Sequence, residues 1–458
     1  MADVDHTFLL AEFLSGLTYE DLPSEVIQQA KKSILNALGC GLGYAQHGPA
    51  EKAFLLIQNG RSCEDATILG RRQRASVENA ILINGIAMTT ADYDDTHLKT
   101  VIHPSGTSLA ALLSWAEVNH MAGKDFLLAF ICGVEAQCAV GNAVSPAHYR
   151  DGWHITGTTG TFGAAACIAK AMKLDANQFA AALGHSASMA AGIRAMFGTD
   201  TKTLHMGRGA QNGLLVAELA SHGFASCSRA IESWARLVST TVNEDASSAL
   251  TRGGGYQILE NTFKPYPCGI VIHPLIDAAL EAHRAAGEYS ASTSAGGSAE
   301  KVTGIEKINA TVSPQCVRLC SVRHPTTGLE TIFSLYHGIA VALVHGQAGP
   351  AQFSDPACKD QANKQLRDKI EVQIDENLAE DSASLEILFA DGQERTFHVE
   401  HAIGSLARPM TSEQLEDKFV DLASGVLGRR QADQVIERCW SLNRVPDMQD
   451  FIALLVPS

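Results

Sequence analysis

Four short stretches gather polar and charged residues inside an otherwise apolar chain. The first is Asp92-Tyr93-Asp94-Asp95-Thr96-His97, followed by His103-Pro104-Ser105-Gly106, with three carboxylates and two imidazoles in twelve residues. Imidazole titrates near neutrality, so histidine beside carboxylate is a common way to move a proton at pH 7. The competing reading is a solvated loop, with Ser105 or Ser108 capping the next helix. Asp and His also ligate metals, but H-E-x-x-H is absent and the spacing matches no ligand set. The second stretch runs from Tyr149 to Gly160 and places His154 directly before a Gly/Thr-rich helix start, where exposed backbone N–H groups attract anions. Gly157, Gly160 and Gly163 resemble a phosphate loop only superficially, since no Lys-Ser/Thr follows and no strand precedes. Close helix packing at glycine is the alternative.

The third stretch, Gly198 to Gly209, holds Lys202, His205 and Arg208 within seven residues, with Arg194 just upstream. Such a cluster is the local positive field that an anionic substrate needs from an acidic protein; a solvated charged loop is the alternative. A dinucleotide fingerprint fails here, because Asn212 stands where the last glycine belongs. The fourth is Phe263-Lys264-Pro265-Tyr266-Pro267-Cys268, then His273-Pro274. Cys268 has no His/Asn signature around it and reads as a buried thiol.

The elements that must position these residues change character along the chain. Up to about residue 260 the apolar residues recur at helical spacing: Val26, Ile27, Ala30, Ile34, Leu35 and Leu38, then Val77, Ala80 and Ile81, then Leu109, Leu112, Leu113 and Ala116. Ala- and Gly-rich runs, Gly163–Ala171 and Gly184–Gly192, predict closely packed helices. After about 262 the texture alternates. Ile308, Ala310 and Val312, and Ile370, Val372 and Ile374, read as strands, and Leu385–Phe397 reads as a hairpin with a type I′ turn at Asp391-Gly392. A helix over Phe333–His345 lies between them, and 286–300 reads as a polar flexible loop. Helices return after about 405, with Thr411 and Gln414 as a capping box and a last helix over Ala432–Trp440. The fold class is therefore mainly α. Residues 1–262, completed by 405–458, form an all-α helical domain, and 263–404 form a smaller α+β domain. The fourth polar stretch lies at that seam, where pockets are favoured.

Composition narrows the function. The chain has 458 residues, 46% hydrophobic and 19% charged, with a formal net charge of -15. An acidic surface argues against nucleic acid and anionic membranes as partners. The first residues carry acids where a signal peptide carries bases, and no apolar run of membrane-spanning length is expected. The 11 cysteines form no C-x-x-C pair and read as reduced thiols. A cytoplasmic location follows as the expectation, with an organellar matrix also open.

Taken in order, the four stretches resemble the MmgE/PrpD family. D-Y-D-D-T-H…H-P-S is similar to the family's D-F-D-D-T…H-P block, and G-W-H-x-T-G-T-x-G-T-F-G-A-A-A to its second block. Gly198 to Gly213 approaches G-T-x-T-K-x-L-H-x-G-x-A-A-x-x-G; F-K-x-Y-P-C…H-P follows, and residues 325–336 resemble P-x-T-x-x-E-A-K-F-S-L. The resemblance implies an all-α domain with an α+β lid, usually as a homodimer, working on a small polycarboxylate without metal or organic cofactor. It implies a pocket containing Asp92, Thr96, His103, His154, Lys202 and Lys264. His103 and His154 are then the acid/base pair, Asp92 orients a histidine, Thr96 holds a substrate carboxylate, Lys202 and Lys264 meet developing negative charge, helped by Arg194 or Arg208, and His205 is a further substrate-binding residue. Tyr149 matches a proton-transfer tyrosine of the epimerase type, and Arg194 stands where that type has lysine, as an additional carboxylate clamp.

Two departures from the decarboxylase type are visible: one extra residue between Asp92 and His103, and Cys320 or Leu319 where that type carries tyrosine. Dehydration of a 2-methylcitrate or alkylcitrate is the leading expectation. Decarboxylation of cis-aconitate and epimerisation of iminodisuccinate are alternatives, and a non-catalytic carboxylate-binding relative or a metal-dependent hydrolase are readings of other classes.

Overall fold

The computed structural model describes residues 5–57, 63–243, 255–292 and 304–458. The chain divides into two units. One comprises Met1–Thr90, Asp94–Phe263 and Thr411–Ser458; the other comprises Ala91–Tyr93 and Lys264–Met410.

The first unit is built of helices. Its centre is the Ile155–Ala171 helix, flanked by Gly123–Val144, Asp200–Ser221, Ser105–Val118 and Ala176–Met189. Gly123–Val144 is long and apolar enough to cross a membrane by length and composition, contrary to the expectation that no run reaches that length; its apolar window is wholly buried within the unit. Small residues set the spacing. A methyl group on Gly133 would meet Ser108 Oγ at 2.6 Å and Cys167 Cβ at 2.8 Å, and one on Gly163 would meet Gln137 Cβ at 2.9 Å. Only glycine at both positions lets these helices approach so closely. Two small antiparallel ribbons join the helices: β1 (Ala66–Thr67) with β2 (Arg74–Ala75), and β3 (Thr96–His97) with β4 (Asn261–Thr262). The Ala-rich run at 184–192 leaves its helix at Met189 and continues as irregular chain to Gly192, where φ is +137°.

The second unit has its own apolar core. Its sheet has the order β6-β5-β7-β8, with β5 Ile305–Val312, β6 Ile370–Ile374, β7 Ala383–Phe389 and β8 Glu394–Val399. β5 pairs parallel with β6 and antiparallel with β7. The helices His273–Ser292 and Leu335–His345 pack together in this unit. The latter is capped by Ser334 Oγ, which accepts His337 N–H. The hairpin is real but its turn is not type I′. Gly392 has φ +81°, whereas Asp391 does not enter the left-handed region. Gly392 N–H donates to Phe389 O and Phe389 N–H to Gln393 O, the pattern of a type I turn closed by a glycine bulge. Residues 286–292 continue the His273–Ser292 helix rather than forming a loop, and 293–300 lie outside the described residues. The Thr411/Gln414 capping box is present, opening the Ser412–Leu427 helix of the first unit. The Arg429–Trp440 helix is followed by one more short helix, Met448–Ile452.

Candidate functional site

The segment from 91 to 104 carries a backbone that sequence patterns do not announce. Asp92 (φ +52°) and Val101 (φ +59°) both occupy the left-handed region, and for a β-branched valine that is an outlier. Strain of this kind costs about 1–3 kcal/mol per residue and gathers at functional sites. Between them the chain closes as a tight turn: His97 N–H donates to Ile102 O at 2.8 Å, and Val101 N–H to Leu98 O. Thr96 and His103 are thereby brought together, Thr96 Oγ1 lying 3.3 Å from His103 Nδ1. The extra residue in this interval is therefore no obstacle to their meeting.

His103 is held in one tautomer. Its Nδ1–H donates to the Asp95 carbonyl at 2.7 Å, which puts the lone pair of the neutral ring on Nε2. Its backbone N–H donates to Thr156 Oγ1 at 3.1 Å, which ties it to the first turn of the Ile155–Ala171 helix. A carboxylate lies beside the ring, Asp94 Oδ1 at 3.9 Å from Nδ1. Asp94 is 1% exposed, and among the described residues neither of its oxygens accepts a hydrogen bond. Asp94 was absent from the residues expected in the pocket. The available signal was the run of three acids, which does not reveal which one turns inward. Asp95 is spent differently: its Oδ2 accepts from Ser105 Oγ and Asn261 Nδ2, and burial pushes its pKa up to about 6. Ser105 therefore serves Asp95 and does not cap its helix, whose N-cap, Pro104, makes no side-chain cap bond.

His154 is the N-cap residue of Ile155–Ala171, and its N–H donates to Gly192 O at 3.0 Å. Its Nδ1 lies 2.9 Å from Nδ1 of His205, so the two rings share one proton. A Cβ on Gly157 would meet His205 Cβ at 2.9 Å; glycine there lets the rings meet. Burial, then the nearby Lys202 charge, hold the His205 pKa below its usual value. Lys202 and His205 lie in the first turns of Asp200–Ser221, and Lys202 is 8% exposed. His103, His154 and Lys202 thus stand at the N-terminal ends of three helices, where backbone N–H groups and the helix dipoles favour an anion.

In the second unit Lys264 donates to Asp92 twice, to its carboxylate at 2.9 Å and its carbonyl at 2.8 Å. Both residues are buried. Within the second unit Asp92 of the first stretch thus meets Lys264 of the fourth, and within the first unit His103 meets Thr156 and His154 meets His205.

The two expected arginines take different partners. Arg208 is exposed on the Asp200–Ser221 helix and pairs with Gln211 at 3.0 Å, so the structure withdraws it from the cluster. It lies about 120° around the helix from Lys202 at 3.6 residues per turn, which explains the separation. Arg194 stacks on the Tyr149 ring, 4.1 Å from its centroid, and donates to the Tyr149 carbonyl at 3.0 Å. It and Tyr149 form a pair of their own, both half-buried, with the Arg194 Nε buried and lacking a hydrogen-bond partner among the described residues. Cys320 is buried, and its thiol is pushed well up by burial, with smaller contributions from the thiols of Cys316 and Cys268 and from Asp92, opposed by Lys264.

Residues 9–247 match the MmgE/PrpD N-terminal domain and 266–442 the MmgE/PrpD C-terminal domain. Similar curated proteins include a cis-aconitate decarboxylase of Aspergillus terreus (strain NIH 2624 / FGSC A1156), 24% identical, covering 97% of this chain and 95% of the relative. The cis-aconitate decarboxylase of Homo sapiens is 26% identical over 97% of this chain and 93% of its own length. That of Mus musculus is 25% identical over 96% and 90%.

Proposed function

The chain belongs to the MmgE/PrpD family, and on that premise we propose that it is a lyase acting at the carbon next to a carboxylate of a small polycarboxylic acid, by decarboxylation of a cis-aconitate-type substrate. The observation that carries the reading is the convergence of His103, His154, His205 and Lys202 at three helix N-termini. A polyanion needs such a field, and an acidic chain must concentrate it locally. The names of the similar curated proteins favour decarboxylation among the family's reactions.

Loss of carbon dioxide leaves an electron pair on the carbon skeleton, delocalised toward the remaining carboxylates. Lys202 offsets that charge, and Lys264, which Asp92 holds in place within the second unit, is the further cation that the family resemblance implies. Thr96 and Arg194 offer hydrogen-bond donors to the other carboxylates. One imidazole then delivers a proton to carbon; His103 and His154 are the candidates, with Tyr149 as a further donor. The ring fixed by the Asp95 carbonyl works through Nε2.

Dehydration of a 2-methylcitrate-type acid is the second reading. It is favoured by Cys320 or Leu319, one of which stands where decarboxylase-type members carry tyrosine; Cys320 is a buried thiol. In that case one histidine removes the α-proton and the other protonates the departing hydroxyl. The test is product analysis with cis-aconitate and 2-methylcitrate, using wild type, His103→Asn and Lys202→Ala. Itaconate from wild type alone supports the first reading, and 2-methylaconitate the second. Turnover that survives both substitutions, or that is abolished by EDTA, defeats the assignment.

A further inference from the structure

The turn that presents Lys264 is unusually stiff. Lys264 and Tyr266 each precede a proline, which confines them to extended backbone, and Pro265 and Pro267 have fixed φ. Such a segment moves as one piece, so whatever anchors Tyr266 also sets Lys264. The Tyr266 ring is 8% exposed and meets His273 edge-on at 5.4 Å. Its hydroxyl donates to Asp277 Oδ1 at 2.5 Å. Asp277, on the His273–Ser292 helix, is 2% exposed. Its second oxygen accepts Ile403 N–H at 2.7 Å, and Arg408 stands 4.0 Å away. Burial and the neighbouring Asp277 charge push the Tyr266 phenol far up, so it remains a donor throughout the working pH range. One buried carboxylate therefore fastens three pieces of chain: the Lys264–Cys268 turn, the helix and the segment leading to Arg408. None of these contacts touches the Lys264 ammonium, and the Asp92 contact does not by itself explain why a buried carboxylate is kept at position 277.

We propose that Asp277 is a positioning residue for Lys264: by accepting the Tyr266 hydroxyl it locks the proline-bounded turn and delivers the ammonium to Asp92 and to the substrate carboxylate. The inference rests on Lys264 being a substrate-binding cation. It does not require that the substrate be cis-aconitate.

The test compares Tyr266→Phe, Asp277→Ala and Asp277→Asn. The asparagine variant can donate Nδ2–H to the phenol oxygen while Oδ1 still accepts Ile403 N–H, so it retains the tie. Tyr266→Phe and Asp277→Ala should raise KM about tenfold, as expected when one charge-assisted contact is loosened, with kcat falling much less. Asp277→Asn should stay within about threefold of wild type, inside the range of an ordinary hydrogen-bond change. A merely structural tie would lower the melting temperature and the active fraction, reducing kcat with KM unchanged; that result overturns the proposal. A second readout needs no substrate. Acylation of Lys264 by acetic anhydride, followed by peptide mass spectrometry, should be several-fold faster in Tyr266→Phe and Asp277→Ala than in wild type or Asp277→Asn. Equal labelling in all four proteins sinks the proposal. Failure of wild type to turn over any acid would instead count against the functional reading, and the labelling would still decide this one.

Discussion

Removing Lys264 should show how strongly the buried Asp92–Lys264 pair is coupled. The two groups are 2.9 Å apart, with residue exposures of 6% and 2%. Lys264→Met removes two donors from Asp92 and leaves a carboxylate in a dry setting, a change that typically costs about 3–5 kcal/mol. Asp92→Asn keeps the left-handed backbone, which asparagine tolerates, and leaves Lys264 with a neutral acceptor. The double variant removes both charges, and its cost should fall to about 1 kcal/mol, since replacing a buried pair by neutral groups is often close to neutral. The coupling between the two sites is then about 2–4 kcal/mol plus whatever Asp92→Asn costs alone. For a unit of this size each kcal/mol moves the midpoint by about 2–4 °C, so Lys264→Met should lower the affected transition by roughly 6–20 °C. Differential scanning calorimetry at pH 7 reads all three variants, following whichever transition moves, because a chain of two units need not melt in one step. If the double variant is as unstable as the sum of the singles, the pair is not coupled and the argument fails. Catalysis should be lost in Lys264→Met and in the double variant alike, since recovered stability does not restore the cation.

Burial raises Glu135 to about 7 and Asp95 to about 6, above their ordinary values of 4.5 and 3.8, so the folded chain binds these protons more tightly than the unfolded one. The stability they contribute is full below about pH 4 and is lost as pH rises through 6 and 7, by about 3 kcal/mol for each group at 1.36 kcal/mol per unit. The melting temperature should therefore fall from pH 5 to 8, and Glu135→Gln, though less stable overall, should show a flatter slope; an unchanged slope refutes the assignment. His103→Asn should lower kcat by about 10²–10⁴, the usual worth of a general acid or base, with substrate binding measured by calorimetry retained. Arg208→Ala should leave kcat/KM within about twofold of wild type, because exposed pairs contribute little; a tenfold loss would return Arg208 to the site.

Much of the architecture can be read from apolar spacing, because long amphipathic or wholly apolar helices and alternating strands such as Ile308-Ala310-Val312 leave strong periodic signals. What could not be read was direction within a short segment. Asp92, Asp94 and Asp95 are chemically alike in sequence, yet one binds Lys264, one stands against His103 and one binds Ser105 and Asn261. The choice is made by backbone strain at Asp92 and by the β3–β4 pairing, and both depend on residues far along the chain. Arg208 was separable from Lys202 in principle, since a helical projection turns it about 120° away, although it stays only about 60° from His205. The Asp-Gly hairpin was found, but the same dipeptide serves a type I′ turn or a type I turn with a bulge. Glu135 was overlooked, although a lone acid inside an apolar helix is a signal in itself; it accepts Gln257 and Ile258 N–H groups at 2.9 Å and so holds the approach to Asn261.

The most direct test of the central claim is proton NMR in deuterium oxide on the purified protein with cis-aconitate, citrate, 2-methylcitrate, a longer alkylcitrate and iminodisuccinate, each in turn. The account predicts itaconate, deuterated at the newly protonated carbon, from cis-aconitate, with no signal from His103→Asn. An alkene appearing from a citrate would replace decarboxylation by dehydration within the same site. Deuterium exchange without a new skeleton would indicate epimerisation. Silence from every acid, with binding retained, would contradict the claim that this family member is a lyase.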